Sequence, residues 1–409
     1  MKPIPLLLVE DNPIYAEVLQ RLLPSLGTDL KFVVTWVDSA ERALETVKQH
    51  RFELVLLDYR LPTGDGLTVL DFIRTQPATE QPAVIMLTGM GREEIAVEAM
   101  KRGAKDYLSK DHLDVASLLR AITSALERRH LEEQLARYTE ELRHRNAQFE
   151  TDLNMAREIQ EAFLPSSFPT FPAGVAPEQS ALRFDHRYLP TTTVGGDYFD
   201  VLTLPGNRAG VFICDVMGHG VRAALVMAYL RALAEELGPV ALDDPGRFLT
   251  DMNRRLLRIL KRTRMPMFAS AFYLVADPQA GLMHYAGAGH PIPLHVHRHQ
   301  AEVAPLSFGA EKPGPALGVF EGTQFAVASA PMAAGDLVVL YTDGLFEVTD
   351  STNQEYGESR LIQALQQRAH MQTAALFGDL LDEVYHFSSR RVFTDDVCLL
   401  GMDVLRVGV

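Results

Sequence analysis

The sequence predicts an α/β domain, then one long helix, then an α+β layered domain. In residues 1–116, five short apolar runs alternate with helical patterns, which is typical of a five-stranded, doubly wound parallel sheet. Residues 117–163 contain neither proline nor glycine and keep a helical pattern throughout. In residues 181–409, strand-like apolar runs are separated by helical patterns, which favours layers of sheet and helix.

Length and composition are those of a chain with two or three compact domains. The chain has 409 residues, of which 47% are hydrophobic, and its formal net charge of −14 argues against an extended nucleic-acid surface. The apolar run at residues 6–9 is too short for a signal peptide, and no run approaches the roughly 20 residues that span a bilayer. A cytoplasmic location is therefore expected. Cys214 and Cys398 lie in apolar runs and are expected to be buried thiols.

Polar side chains end several of the apolar runs in the first domain. Glu10 and Asp11 follow the first run, Asp58 ends the third, Thr88 ends the fourth and Lys110 follows the fifth. In a parallel sheet these ends meet at one edge. Three carboxylates there require a cation, and an all-oxygen set suits Mg²⁺. Asp58 can then act as a nucleophile toward phosphorus, with Lys110 neutralising the phosphoryl group and Thr88 donating a hydrogen bond to it.

The same positions lie within four motifs: VEDN at 9–12, LLDYRLPTGDG at 56–66, LTG at 87–89 and YLSK at 107–110. Together and in this order they resemble the receiver domain of bacterial two-component response regulators. The resemblance implies that Glu10 and Asp11 hold Mg²⁺ beside Asp58. It also implies that Asp58 is phosphorylated by a cognate histidine kinase.

The resemblance further assigns a switch to this domain. It implies that Thr88 and Tyr107 form the switch pair, with Lys110 at the phosphorylation site. One position departs from the family pattern, because Asp111 follows the lysine where the family usually has proline. The departure leaves the lysine itself in place.

The long helix carries a narrow apolar seam with heptad spacing. Arg145 interrupts it, and an earlier ladder is offset from it, so a stutter is expected. The seam residues are Leu131, Leu135, Tyr138, Leu142, Phe149, Leu153 and Ala156, and the earlier ladder is Leu119, Ile122 and Leu126. One interpretation is a parallel two-stranded coiled coil that makes a homodimer and transmits a signal. The other is a single solvated helix that packs its seam on a neighbouring domain.

Prolines mark a linker at residues 164–180, and carboxylates recur in the domain that follows. They stand beside glycine or at strand ends: Asp197, Asp215, Asp343, Asp395 and Asp396. Each alone is typical of a turn, but together they indicate hard cations, Mg²⁺ or Mn²⁺ rather than zinc. Two such ions about 3.5–4 Å apart can activate a bridging water for displacement at phosphorus. The sequence therefore predicts phosphoester hydrolysis.

These carboxylates belong to the motifs GGDYFDV at 195–201, CDVMGHG at 214–220, AGHP at 288–291, YTDGLFE at 341–347 and TDDVCLL at 394–400. With MAREIQEAFLP at 155–165, the set resembles the SpoIIE/RsbU type of PP2C-like serine phosphatases, which implies a layered β-sandwich flanked by helices. The resemblance implies that Asp215 bridges two metals, that Asp197 and the Val216 carbonyl serve the first, and that Asp343 with Asp395 or Asp396 serves the second. It also implies a phosphoserine substrate on a STAS-type anti-sigma-factor antagonist.

Two other functions compete with a regulated phosphatase. One is a non-catalytic adaptor that binds a sigma factor or an anti-sigma regulator under control of the receiver, although such adaptors tend to lose the metal ligands. The other is DNA binding through the basic stretch at 253–264, which is more simply explained as a helix packed on the phosphatase core. His219 and His290 are expected to cap, pack or order a turn and are not assigned to the metals.

Overall fold

The computed structural model describes residues 3–27, 30–62, 64–89, 93–237, 242–262, 266–388 and 393–408. The chain forms two compact units, Met1–Gln148 and Phe149–Val409. Three predictions reach outside the described residues: Thr63 in the second receiver motif, Arg92 at the start of a predicted helix, and residues 263–264 at the end of the basic stretch.

The first unit alternates strands and helices as predicted. Its elements are β1 (Ile4–Val9), α1 (Pro13–Leu22), β2 (Phe32–Val37), α2 (Ala40–Gln49), β3 (Leu54–Asp58), α3 (Gly66–Arg74), β4 (Ala83–Thr88), α4 (Glu93–Lys101), β5 (Asp106–Ser109) and the start of α5 (Val115–Glu161). The strands form one parallel sheet in the order β2-β1-β3-β4-β5. The predicted doubly wound parallel sheet is confirmed.

Local sequence explains where several of these helices begin. The side chains of Asn12, Ser39 and Asp65 cap α1, α2 and α3 by accepting hydrogen bonds from backbone N–H groups of the first turn. Because β1 lies between β2 and β3, the chain reverses direction across the sheet at β1. A crevice forms at the carboxyl ends of strands at such a point.

The long helix α5 changes its surroundings along its length. Near its start, Leu118, Ala121, Ile122 and Ala125 are buried in the same core as the strands of the first unit, and the earlier ladder predicted around Ile122 belongs to this packing. Further along, the seam side chains are between 60% and 68% exposed: Leu131, Leu135, Tyr138, Leu142 and Phe149. The predicted domain boundaries at 116, 163 and 180 remain predictions.

The second unit contains two antiparallel sheets. Its strands are β6 (Leu182–Leu189), β7 (Tyr198–Leu204), β8 (Arg208–Val216), β9 (Ala269–Asp277), β10 (Leu282–Ala288), β11 (Leu294–His297), β12 (Glu302–Pro305), β13 (Ala328–Pro331), β14 (Asp336–Tyr341) and β15 (Val397–Val404). Its further helices are α6 (Val221–Glu236), α7 (Pro245–Leu260), α8 (Gly357–Gln367) and α9 (Thr373–Phe387). The sheet orders are β13-β10-β9-β8-β7 and β12-β11-β14-β15-β6.

Alternating side chains place the two sheets face to face. Val211 and Ile213 of β8 share a core with Val338 and Leu340 of β14, whereas Phe212, between the first two, packs under α6 and α7 on the outer face. The outer face of the other sheet is covered by α8 and α9. The predicted layered β-sandwich flanked by helices is confirmed, although the short strands β11, β12 and β13 were not predicted.

The proline-rich stretch before β6 packs on the second unit. Phe171 is fully buried in the core between the sheets, with Phe184 of β6 beside it.

Among the residues described, none of the helices combines the length and apolar character that crossing a bilayer requires.

Candidate functional site

The predicted carboxylates of the first unit converge beyond the ends of β1 and β3. Oxygens of Glu10, Asp11 and Asp58 lie within 4.8 Å of one another. Glu10 and Asp58 are buried, whereas Asp11 is exposed. The three line one wall of a cavity of about 580 Å³ that Lys110 and Asp111 also border. An all-oxygen set of this kind fits a hard divalent cation.

Lys110 forms an ion pair with each of the two buried carboxylates, Glu10 and Asp58. Its Nζ lies 2.6 Å from Glu10 Oε2 and 2.8 Å from Asp58 Oδ2. Burial raises the pKa of both carboxyl groups, and the hydrogen bonds from Lys110 oppose this shift. The lysine therefore stabilises the ionised forms of both Glu10 and Asp58.

The predicted switch residues differ in exposure. Thr88, the last residue of β4, is buried, whereas the Tyr107 side chain is 45% exposed. Tyr107 lines a shallow depression together with Val97 and Met100 of α4. The structure thus places Thr88 at the carboxylate end of the sheet and Tyr107 on the surface beside α4.

In the second unit, aspartates at the ends of four separate strands interact electrostatically. Asp197 stands just before β7, Asp215 lies near the end of β8, Asp343 follows β14, and Asp395 precedes β15. The charge of Asp215 raises the pKa of Asp197, so these two carboxyl groups lie close together. Within the described part of the chain, these aspartates do not form a three-ligand cluster within 4.8 Å. Ligands distributed over two ions are expected to spread in this way.

Burial and then like charges raise the pKa values of Asp197, Asp215 and Asp343. Burial and then the charges of Asp343 and Asp395 raise the pKa of Asp215 to about 7. Burial and then Asp215 raise the pKa of Asp197 well above its ordinary value. Cations bound among these carboxylates would favour their ionised forms by offsetting the repulsion between like charges. The oxygen-only donor set fits divalent cations of the Mg²⁺ or Mn²⁺ type.

Asp395 and Asp396 have different environments. Both carboxylate oxygens of Asp396 accept hydrogen bonds from backbone N–H groups, one from Thr191 at 2.7 Å and one from Gly196 at 2.8 Å. Asp395 is only half-buried, and its charge raises the pKa of both Asp215 and Asp343. Asp396 therefore holds the loop before Asp197, whereas the charges of both Asp395 and Asp396 act on Asp215.

Two known families match separate parts of the chain. Residues 6–123 match the family described as "Response regulator receiver domain", and residues 205–405 match "Stage II sporulation protein E (SpoIIE)". The chain therefore joins a receiver domain to a SpoIIE-type, PP2C-like phosphatase domain.

Relatives and one solved structure give the extent of the similarity. Protein IcfG of Synechocystis is 25% identical, over 61% of this chain and 41% of its own length. Phosphoserine phosphatase RsbP of Bacillus subtilis is 25% identical, over 62% of this chain and 58% of its own length. The SiaA-PP2C domain of Pseudomonas aeruginosa matches in fold with a TM-score of 0.52 and 20% identity, covering 63% of this chain and 98% of that domain. The chain thus spans about half the length of these two curated relatives.

Gln160 is a phosphatase-domain contact that the sequence analysis missed. This buried side chain of α5 accepts a hydrogen bond from the N–H of Gly195 at 2.9 Å and donates one to the Gly195 carbonyl at 2.8 Å. The helix end is thereby fixed to the loop that carries Asp197. A signal was present, since Gln160 follows Leu153 and Ala156 at the next seam position, where an apolar residue is expected.

Thr342 is a second contact that the sequence analysis missed. Its buried hydroxyl donates to Asp197 Oδ2 at 2.7 Å and accepts from the N–H of Cys398 at 2.9 Å. The hydroxyl therefore orients Asp197 from the strand end that carries Asp343. Its place directly before Asp343 in the motif was the available signal.

Gly196 allows the backbone to approach closely in the phosphatase domain. A Cβ on this residue would lie 2.7 Å from the Val216 carbonyl oxygen, so a side chain would displace the loop or the strand end. The carbonyl predicted as a metal ligand thus packs directly against the loop before Asp197.

The other sequence predictions have mixed outcomes. The described part of the basic stretch packs on the core as expected, because Leu256 and Leu260 of α7 are buried beneath the sheet. His290 is buried, and its Nδ1 lies 2.7 Å from Ser270 Oγ, which fits an ordered turn. The expectation that His219 caps or packs is wrong: it is exposed, and Gly220 occupies the N-cap of α6 without a side-chain hydrogen bond.

Proposed function

We propose that this chain is a phosphorylation-regulated, metal-dependent protein serine phosphatase. The observation that carries the proposal is the convergence of Asp197, Asp215, Asp343 and Asp395, where burial and then the charges of Asp343 and Asp395 raise the pKa of Asp215 to about 7. Repulsion makes such a group of carboxylates unfavourable in the absence of cations. This is a feature of a metal site and is not expected of aspartates that only form turns. The likeness to a relative named as a phosphoserine phosphatase supports phosphoserine as the substrate class.

Some residues of the site would hold the metal ions, and others keep those ligands in position. Asp197, Asp215, Asp343 and Asp395, with the Val216 carbonyl, would hold two Mn²⁺ or Mg²⁺ ions. When bound, these ions supply charge neutralisation at phosphorus and activation of water. Thr342 and Asp396 hold Asp197 and its loop in place from two sides. In the receiver, Glu10, Asp11 and Asp58 would hold Mg²⁺.

The proposed substrate is the phosphoserine of a STAS-type anti-sigma-factor antagonist in a partner-switching pathway. The test uses a phosphoserine-bearing STAS protein and the purified chain with Mn²⁺ or Mg²⁺, and it measures released phosphate. We expect turnover with metal and none with a chelator. Stable capture of the STAS protein without turnover would instead support the adaptor function and overturn the enzyme.

Regulation is proposed to run through α5. Near its start the helix is buried in the receiver core through Leu118 and Ile122, and near its end Gln160 is hydrogen-bonded to Gly195. A histidine kinase would phosphorylate Asp58, which now pairs with Lys110. A change in receiver packing would then move the same helix that fixes the loop before Asp197. Displacements below 1 Å at a metal loop are enough to change the rate.

The contact of Gln160 provides a test of this route. We expect Gln160→Ala to lower the phosphatase rate by roughly 10- to 100-fold, because both hydrogen bonds to Gly195 are lost and the loop is no longer held. Gln148→Ala is the matched control, since Gln148 is exposed on the same helix. Steady-state kinetics with saturating Mn²⁺ measure the effect. Equal rates for the wild type and Gln160→Ala would exclude this route.

The exposed seam supports a homodimer through a parallel coiled coil. A leucine that passes from solvent into such an interface contributes about 1.5–3 kcal/mol. We expect Leu135→Glu with Leu142→Glu to convert a dimer into a monomer in sedimentation equilibrium. His144→Glu places the same charge at an exposed position off the seam and should leave the dimer intact. A monomeric wild type would favour the single solvated helix.

A further inference from the structure

A cluster of two histidines and one aspartate lies at one end of the second sheet of the phosphatase domain. His295 and His297 are two residues apart on β11, so their side chains point to the same face. Asp336, the first residue of β14, pairs directly with His297 across the antiparallel ladder. The two imidazole rings have centroids 3.9 Å apart.

The donor atoms of this cluster have the spacing of a coordination site. His295 Nε2 lies 2.9 Å from Asp336 Oδ2, and His297 Nδ1 lies 3.2 Å from Asp336 Oδ1. All three residues present donor atoms within 4.8 Å of one another. Metal–ligand bonds of about 2.0–2.2 Å in a tetrahedron separate neighbouring ligand atoms by about 3.3 Å. The observed separations are close to that value.

Burial also suits a metal ligand set. His295 and Asp336 are buried, and the His297 side chain is about one-third exposed, at 34%. The partial exposure of His297 leaves a path for an ion and room for a water ligand.

We propose that His295, His297 and Asp336 bind a transition-metal ion of the Zn²⁺ class. Two imidazole nitrogens and one carboxylate select Zn²⁺ or a similar ion over Mg²⁺ and Mn²⁺, which prefer oxygen ligands. The site shares no residue with the aspartate group around Asp215. Glu302 of β12 stands opposite His297 in register, so its side chain is on the same face of the sheet.

The expected role is structural. The ion would connect the hairpin of β11 and β12 to β14 through side chains, in addition to the ladder of backbone hydrogen bonds. Because the ion binds the folded protein and not the unfolded chain, it would raise the thermal stability by mass action.

Co²⁺ provides the test, because its visible absorption is intense in four-coordinate sites with nitrogen ligands and weak in six-coordinate oxygen sites. The full chain is titrated with Co²⁺ in excess Mg²⁺, which fills the carboxylate sites. We expect an intense band that saturates at one Co²⁺ per chain and disappears on addition of Zn²⁺. Zn²⁺ should also raise the melting temperature by roughly 5 °C.

The variants separate coordination from simple hydrogen bonding. His295→Gln with His297→Gln should lose the band and the Zn²⁺-dependent shift, whereas His284→Gln, at an exposed histidine paired with Ser329, should keep both. Melting in a chelator checks that the double variant folds. If it does not, His297→Gln alone decides, since this side chain is partly exposed. A wild type without the band, or equal Co²⁺ binding by wild type and the variant, overturns the proposal.

Discussion

Asp215→Asn is expected to lower phosphoserine hydrolysis by at least about a thousandfold, which corresponds to roughly 4 kcal/mol of transition-state stabilisation. The charge of Asp215 acts on Asp197, and burial and then the charges of Asp343 and Asp395 raise the pKa of Asp215, so its carboxylate lies at the centre of the group. An amide there retains the size but removes the charge that would hold two cations together. Phosphate release from a phosphoserine protein, measured with Mn²⁺, gives the rate.

In the absence of metal, Asp215→Asn should not lower the stability of the folded protein, although it lowers activity. The folded-state pKa of Asp215 is raised to about 7 from an ordinary 3.8, so ionising this carboxyl destabilises the fold as the pH rises through that range. At pH 8 in a chelator, Asp215→Asn should therefore be at least as stable as the wild type. A loss of activity together with this stability would separate a catalytic defect from misfolding.

Asp200→Asn is the matched control for Asp215→Asn. Asp200 lies in the adjacent strand, accepts a hydrogen bond from the Tyr198 hydroxyl at 3.0 Å and takes no part in the aspartate group. It should keep most of the activity. If Asp200→Asn and Asp215→Asn lose activity equally, the aspartate group is not the reaction centre.

The long-range convergence of carboxylates was predictable because it follows from topology. Parallel strands place their carboxyl ends at one edge, so Glu10 and Asp58 were expected to meet before any coordinates were known. The distinction between Asp395 and Asp396 was not predictable, because it depends on N–H groups of Thr191 and Gly196 that lie about 200 residues away. Sequence spacing carries no information about such a contact.

The strands that the sequence analysis missed are short and lie at or beside sheet edges. β11, β12 and β13 have four residues each, and β12 and β13 end in proline. In four residues an alternating pattern cannot be distinguished from a loop, and edge strands need no apolar face on both sides. The omission had a consequence, since the histidine pair of β11 has meaning only once the segment is known to be a strand.

Asp58→Asn is expected to abolish phosphorylation of the receiver and with it the response of the phosphatase to receiver activation. The buried Asp58 carboxylate lies 2.8 Å from Lys110 Nζ and is the proposed nucleophile, and an amide in its place cannot form the acyl phosphate. Incorporation of phosphate from a small phosphodonor should fall below detection. Beryllofluoride, which mimics phospho-aspartate, should change the phosphatase rate of the wild type and leave that of Asp58→Asn unchanged.

Asp65→Asn is the control, because Asp65 is a half-buried carboxylate of the same domain and asparagine caps a helix as well as aspartate does. It should be phosphorylated like the wild type.

The basal phosphatase rate of Asp58→Asn shows which contacts hold the receiver in its resting state. A basal rate equal to that of the unphosphorylated wild type means that the Lys110 contacts with Glu10 are sufficient to hold the resting receiver. A basal rate equal to the beryllofluoride-treated wild type means that the pair of Asp58 and Lys110 itself holds the resting state. Phosphate incorporation by Asp58→Asn would contradict the assignment of the nucleophile.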